Sequence, residues 1–377
     1  MTEQTKPIKV VHFVTGGFSG GATQVAIGLV RAQMANPELE PLLILRKKGH
    51  ADQARVQQLI DEGLPVLQVN NWTHLTTIWE LSRELKEFKP DILLAHGFSE
   101  HIWGRYAGLL AKVPIMLHIE HNTRERYTWW RTLQSKWLTK YTARIVGVSD
   151  GVRQVMVERG FPSEKCIAIP NGIHLGPFEQ LELKPWAERK PGVVMVSRFA
   201  KQKDHETLVR AIANLRDRGI ELPVYFAGSG KAKAINPIKK LVRELKIEHL
   251  VHFLGYHKNV PALLAEHQIL VQSSNWEACG LSVLEGMAAG CAVVATDIIG
   301  MRENIEHGET GLLVAPKSVT TLADALQYYL DHPDRATEMA HAAREQAFKA
   351  HSKEAMNDAY AELFKTLMAE HSAEKNG

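Results

Sequence analysis

The sequence predicts an α/β protein built from two doubly wound domains, and three observations carry that prediction. The first is size: 377 residues are too many for one ordinary domain and comfortable for two. The second is rhythm, because short apolar runs, each followed by a turn signal and a helical pattern, recur from end to end. The third is the character of those runs. They are continuous Val/Ile/Leu rather than strictly alternating, which places the strands under helices on both faces and makes the sheets parallel.

Taken in order, the front strands are expected at Val10–Val14, Leu42–Leu45, Val66–Val69, Asp91–Ala95, Ile115–Ile119, Arg144–Val148 and Ile167–Ile169. The back strands are expected at Val193–Val196, Val224–Ala227, Val251–Leu254, Ile269–Gln272, Ala292–Ala295 and Gly311–Val314. Between the two series, the least patterned stretch is Gly176 to Pro191, with Pro177, Pro185 and Pro191, and the linker is placed there. This gives a front domain over residues 1–178 and a back domain over 192–350, with Leu- and Ala-rich helices last.

Composition excludes several classes. With 45% hydrophobic and 23% charged residues, each half can bury a core without staples. The three cysteines, Cys166, Cys279 and Cys291, are odd in number and form no CxxC pair, which argues for a reducing compartment and against a zinc site. Met1 to Lys9 is polar, and no run approaches the about 18 apolar residues of a membrane span, so the chain reads as cytoplasmic. The net charge of +3 is too small for a bulk nucleic-acid binder. It conceals an asymmetry: residues 1–184 hold 22 Lys+Arg against 18 Asp+Glu, or +4, and the remainder 23 against 24, or −1.

In open parallel sheets ligands bind beyond the carboxyl ends of the strands, so the residues that follow each strand are the informative ones. After the first comes Thr15-Gly16-Gly17-Phe18-Ser19-Gly20-Gly21-Ala22-Thr23, opening a helix from about Ala22 to Met34. Glycines there let backbone N–H groups approach a phosphate, although the GxGxxG dinucleotide spacing is not met and a plain turn is an equal reading. Two back strands run into Ser197-Arg198-Phe199-Ala200-Lys201-Gln202-Lys203 and into Gly228-Ser229-Gly230. Arg198 and Lys203 together match a diphosphate, the Arg as a fork and the Lys as a point charge; a solvated basic loop is the competing reading.

The segment from Ser273 to Gly290 says most. It follows a strand, carries Glu277 in its loop and Glu285 about one turn into a helix from about Leu281 to Ala289, and closes at Gly290. The N–H groups around Ala278, Cys279, Gly280 and Leu281 and the helix dipole favour an anion. A carboxylate beside a phosphate is repelled unless it faces hydroxyls or developing positive charge, and that combination describes a sugar nucleotide.

In order and spacing these pieces resemble the retaining glycosyltransferases of family 4, which have the GT-B fold: two Rossmann-like domains facing an interdomain cleft. The matching stretches include Gly20-Gly21-Ala22, Pro90 to His96, Ile119-Glu120-His121-Asn122, Val146 to Ser149, Ile169 to Ile173, Val196 to Asp204, Ala227 to Gly230, Phe253 to Gly255, Glu277 to Glu285, and Gly311 to Val314. The resemblance implies that Glu277 contacts the donor sugar beside its reacting carbon, that Glu285 holds the ribose, and that Arg198 and Lys203 clamp the diphosphate. It implies that Gly20 and Gly21 close over the donor phosphates, that His121 reaches the sugar, and that Gly228 and Ala278 to Leu281 line the donor site, with Val251 to Tyr256 along the base. The final segment, 351–377, is expected to return to the front domain.

The implied activity is metal-independent transfer of a hexose-type sugar from UDP or GDP to a glycan or lipid-linked acceptor, in bacterial-type surface polysaccharide or lipopolysaccharide synthesis. No cofactor is expected, and no DxD motif is present for a metal. A catalytically silent binding protein of the same fold, or a nucleotide-sugar epimerase, is the alternative. Two departures stand out: Thr23 replaces a common Glu, and Asp204 a common Gly. Asp204 is suited to cap the helix that begins there.

Of His96, His101, His118 and His121, only His121 matches an active-site position, and His118 is expected on the opposite face of its strand. Arg124 to Arg144 holds six Lys/Arg, one Glu and the aromatics Tyr127, Trp129, Trp130, Trp137 and Tyr141, a net +5. Helical periodicity puts Trp130, Leu133, Trp137 and Tyr141 on one face. Such a helix suits an anionic membrane surface, at the inner face of the membrane; equally, the tryptophans suit a core.

Overall fold

The computed structural model describes residues 6–18, 21–47, 53–97, 99–124 and 128–376. The chain forms two compact units, Met1–Pro170 with Met356–Gly377, and Asn171–Ala355.

The first unit runs β1 (Ile8–Thr15), α1 (Gly21–Met34), β2 (Leu39–Arg46), α2 (Gln53–Asp61), β3 (Val66–Val69), α3 (His74–Phe88), β4 (Ile92–His96), α4 (Glu100–Ala111), β5 (Ile115–Glu120), α5 (Trp129–Leu138), β6 (Arg144–Gly147), α6 (Asp150–Glu158) and β7 (Cys166–Ala168). Its strands form a parallel sheet in the order β3-β2-β1-β4-β5-β6-β7. Alternate residues of β1 feed two separate cores: Val11 and Phe13 pack with Leu93, Ile102 and Trp103, and Val14 packs with Ile27 and Val30. Burial on both faces is the reason these strands read as unbroken apolar runs.

The second unit begins with α7 (Gly176–Glu179) and continues β8 (Lys190–Val196), α8 (His205–Asp217), β9 (Val224–Ala227), α9 (Ala232–Glu244), β10 (Val251–Gly255), α10 (Val260–Glu266) and β11 (His267–Gln272). It ends with α11 (Leu281–Ala288), β12 (Ala292–Thr296), α12 (Ile299–Arg302), β13 (Leu312–Val314), α13 (Val319–Asp331), α14 (Pro333–Ala350) and the start of α15 (Lys353–Asn376). The sheet is again parallel, in the order β10-β9-β8-β11-β12-β13. One face carries Val193, Met195, Ile269 and Val271 against α8 and α13; the other carries Val194, Leu270 and Val293 against α11 and α14.

Every expected strand is present, and the bounds of the units differ from expectation. Gly176 to Pro191 is no linker. It belongs to the second unit, where the buried Arg189 donates to the carbonyls of Lys184, His267 and Ala289, and Arg344 donates to those of Phe178 and Ala288. Arginine-to-carbonyl bonds leave no apolar period, so the segment looked unpatterned. From Met356 onward α15 packs on the first unit through Met356, Tyr360, Phe364 and Leu367, at spacings of four, four and three.

Candidate functional site

Each sheet reverses its strand order once, and each reversal leaves a crevice at the carboxyl edge. In the second unit it lies between β8 and β11. The loop after β8 carries Arg198 and Lys203; the loop after β11 carries Glu277. Backbone and side-chain bonds lace them together: Asn275 N–H donates to the Gln202 carbonyl at 2.7 Å, Gln202 Nε2 to the Trp276 carbonyl at 2.9 Å, and Ser273 Oγ to the Asp204 carbonyl at 2.9 Å.

Across that seam Lys203 ion-pairs with Glu277, both largely buried, and Ser274 Oγ donates to the same Glu277 oxygen at 3.0 Å. Arg198 is exposed and makes no ion pair or side-chain hydrogen bond with a described residue. Of the two cations expected on a diphosphate, Arg198 has no side-chain partner among the described residues and Lys203 has a carboxylate partner. Asp204 has φ +50° and caps α8, accepting from Thr207 N–H at 3.4 Å and from Thr207 Oγ at 2.8 Å.

The next loops sit behind these two. Gly228 donates its N–H to the Gly255 carbonyl at 2.7 Å, and a Cβ added to it would lie 1.9 Å from the Ser197 carbonyl oxygen, so only glycine lets the β9 loop lie against the β8 loop. Gly280 caps α11 with φ +63°, and its carbonyl accepts from Val283 and Leu284 N–H. The leading N–H groups of the helix, on Leu281 and Ser282, have no partner within it. Asn304 Nδ2 holds the Cys279 carbonyl at 2.5 Å and Cys279 Sγ donates to the Asn171 carbonyl at 3.7 Å, fixing the turn that contains Ala278. Burial pushes the Cys279 thiol up to about 12, so it is neutral and structural. Glu285 is one turn into α11, and burial pushes its carboxyl up to about 7, opposed by the charge of Lys353.

In the first unit the reversal lies between β1 and β4. The loop after β1 is there. Gly21 is the first residue of α1, while Gly20 lies outside the described residues. Thr23, at the position that departs from the family pattern, turns inward, its Oγ donating to the Thr15 carbonyl at 2.9 Å. His121 follows β5 and is buried against His96, with Nε2 and Nδ1 at 3.1 Å. His118 lies on the other face, stacked on His101 at 3.9 Å between centroids. Glu120 is fully buried and accepts from the backbone N–H groups of His121 and Asn122.

Two arrangements escaped the sequence reading. Ser197 Oγ meets His205 Nε2 at 3.1 Å beneath the β8 loop. His12 in mid-strand meets His96; a histidine inside Val10-Val11-His12-Phe13-Val14 was a visible signal, because an apolar strand carries a polar residue only where a partner waits.

The basic aromatic segment resolves as α5, which ends at Leu138, with Tyr141 in a following turn and Tyr127 outside the described residues. Trp129 is 77% exposed, Trp130 55% and Trp137 44%, which overturns the reading of these residues as core. Trp72, Leu75 and Trp79, in and just before α3, are exposed as well. Among the described residues no helix is long and apolar enough to cross a membrane, and no cluster of three or more His, Cys, Asp or Glu is placed to hold a metal ion.

Two parallel-sheet units, each with a single strand reversal, the second with a cation–carboxylate pair joining the loops at its reversal, define an α/β protein of the GT-B type. Family comparisons agree: residues 19–176 match the model described as Glycosyltransferase Family 4, and residues 179–346 match that described as Glycosyl transferases group 1. The chain belongs to the family 4 type of GT-B glycosyltransferases. It is 29% identical over 180 residues to the alpha-D-kanosaminyltransferase of Streptomyces kanamyceticus, a match spanning 47% of this chain and 46% of that protein, just under half its length. It is 23% identical over 268 residues to the UDP-Gal:alpha-D-GlcNAc-diphosphoundecaprenol alpha-1,3-galactosyltransferase of Escherichia coli, over 67% of this chain and 69% of that one. Its fold is shared with Anabaena Alr3699/HepE, crystallised with UDP, at a TM-score of 0.83 and 19% identity, covering 95% of this chain and all of that one.

Proposed function

We propose that the chain transfers a hexose-type sugar, with retention, from a UDP or GDP sugar to a glycan or lipid-linked acceptor in the assembly of a bacterial-type surface polysaccharide or lipopolysaccharide. The observation that carries this reading is the seam between the β8 and β11 loops, where the Lys203–Glu277 pair joins the loop of the exposed Arg198 to the loop that opens α11, at a strand reversal. A diphosphate meets an unpaired guanidinium, a lysine and the leading N–H groups of a helix, all donors that stabilise the charge that develops as the sugar–phosphate bond breaks. Glu277, held by Lys203 and Ser274, is the group for the sugar, and Glu285 for the ribose. For Gly21 and His121, in the first unit, the family resemblance is the support for roles toward phosphate and sugar respectively. Transfer with retention on one face of the sugar asks for position and charge rather than for a protein nucleophile.

Nucleoside diphosphate release from a panel of UDP, GDP and ADP sugars, in excess EDTA, tests this. Wild-type chain is expected to hydrolyse one of them slowly, with Glu277→Ala and Arg198→Ala each about 100-fold slower. Equal rates for wild type and Glu277→Ala, or activity lost to chelator and restored by Mn²⁺, contradict it.

The exposed tryptophans of α5, interleaved with Arg131, Lys136 and Lys140, support a peripheral contact with anionic lipid and so a lipid-linked acceptor. The acceptor named for the Escherichia coli relative is of that kind. Sedimentation with anionic liposomes is expected to fall in the triple change Arg131→Glu, Lys136→Glu, Lys140→Glu, and binding that is unaltered removes the lipid part of the proposal.

A further inference from the structure

Three adjacent strands of the first unit each supply one histidine to a single buried line. His12 lies within β1, His96 ends β4 and His121 follows β5, and β1, β4 and β5 are neighbours in the sheet. The register explains the line. His12 pairs with Leu94, so His96 is two residues further toward the carboxyl edge; His96 pairs with Ile119, so His121 is two further again. Steps of two keep all three rings on one face of the sheet. Their nitrogens meet in sequence: His12 Nδ1 to His96 Nε2 at 3.0 Å, and His96 Nδ1 to His121 Nε2 at 3.1 Å. At the inner end His12 Nε2 meets Gln33 Oε1 of α1 at 2.9 Å.

The chemistry of that end gives the line a direction. With the Gln33 amide oriented so that Oε1 rather than Nε2 faces the ring, this end only accepts, and His12 carries its proton on Nε2 and accepts at Nδ1. His96 must then donate from Nε2 and accept at Nδ1, and His121 must donate from Nε2. Burial holds all three rings neutral, taking His12 down to about 4, His121 to about 3 and His96 well below its ordinary value. A neutral ring with Nε2–H has a lone pair on Nδ1, and Nδ1 of His121 makes no hydrogen bond to a described residue.

We propose that Gln33, His12 and His96 form a positioning relay that fixes His121 as the Nε2–H tautomer, so that its Nδ1 accepts a hydrogen bond from a donor hydroxyl such as a sugar displays. The opposite tautomer would turn an N–H toward that hydroxyl. The role for the sugar rests on the proposed function; the relay does not, because the tautomer is a property of the unliganded chain.

The test is long-range ¹H–¹⁵N correlation spectroscopy of the full chain labelled in its histidine rings, read without any ligand. Wild type is expected to show His12, His96 and His121 all protonated at Nε2. Gln33→Met, which removes the fixed acceptor, is expected to give His121 as a mixture of tautomers, and Gln33→Glu, which keeps an acceptor, to restore the single form. His121 protonated at Nδ1 in wild type, or unchanged at Nε2 in folded Gln33→Met, overturns the relay. Should Gln33→Met not fold, the wild-type spectrum decides alone. A relay upheld beside a chain that hydrolyses no nucleotide sugar would leave the tautomer standing and remove only its substrate.

Discussion

Burial pushes the Glu285 carboxyl up to about 7 from an ordinary 4.5, which ties the stability of the second unit to pH. Between those values the folded chain holds a proton that the unfolded chain has released, so stability falls as pH rises through the window. A shift of that size corresponds to up to about 3 kcal/mol. Glu285→Gln is therefore expected to be more stable than wild type at pH 8 in urea titrations and no different at pH 4; equal stability at both would place the carboxylate in water. The histidines of the first unit act in the opposite direction. With His12 and His121 lowered to about 4 and about 3, the unfolded chain takes up protons below 6.5 that the folded chain refuses. Their contribution is intact above 6.5 and lost as pH falls toward 3, and in Glu285→Gln, where the opposing carboxyl is gone, the urea midpoint is expected to drop steadily between pH 6.5 and 4. A midpoint flat over that range contradicts buried neutral rings. At this scale the sequence showed which residues follow strands and so pointed to Arg198, Lys203, Glu277 and Glu285. It did not show that Lys203 and Glu277, 74 positions apart along the chain, meet, because that contact depends on β8 and β11 being neighbours.

The helix caps and tight loops make the elements testable one at a time. Asp204 caps α8 from a left-handed backbone conformation that costs about 1 kcal/mol for most side chains. Asp204→Gly loses the cap and sheds the strain, so its stability is expected within about 1 kcal/mol of wild type. Asp204→Ala loses the cap and gains nothing, and is expected to be the less stable of the two by about 1 kcal/mol in thermal unfolding. The reverse order would deny the cap. The strands were legible because each is a continuous apolar run between turn signals, and α1 and α11 began and ended close to where the glycines indicated. The α5 helix was legible in its period but not in its surroundings. Helical spacing placed Trp130, Leu133 and Trp137 on one side, and a period cannot tell an inward face from one turned to solvent, which here is where Trp129 and Trp130 lie.

Two units of similar architecture arise in one chain because each repeats the same solution: a parallel sheet buried on both faces and opened at one strand reversal. Fold class and family were readable because thirteen apolar runs and a series of short motifs agree in order, whereas the boundary was not, since Arg189 and Arg344 hold residues 176–191 by bonds to carbonyls that no hydrophobic pattern records. The second unit is proposed to bind a nucleotide sugar at the seam of the β8 and β11 loops. The most direct measurement is calorimetric titration of the full chain, in EDTA, with UDP, GDP and ADP sugars. One of them is expected to bind more tightly than about 1 mM, with Arg198→Ala and Glu285→Ala each weakening it by about 10-fold or more, or about 1.4 kcal/mol, in chains that remain folded. Binding of none of the three, or binding that neither substitution weakens, would contradict it.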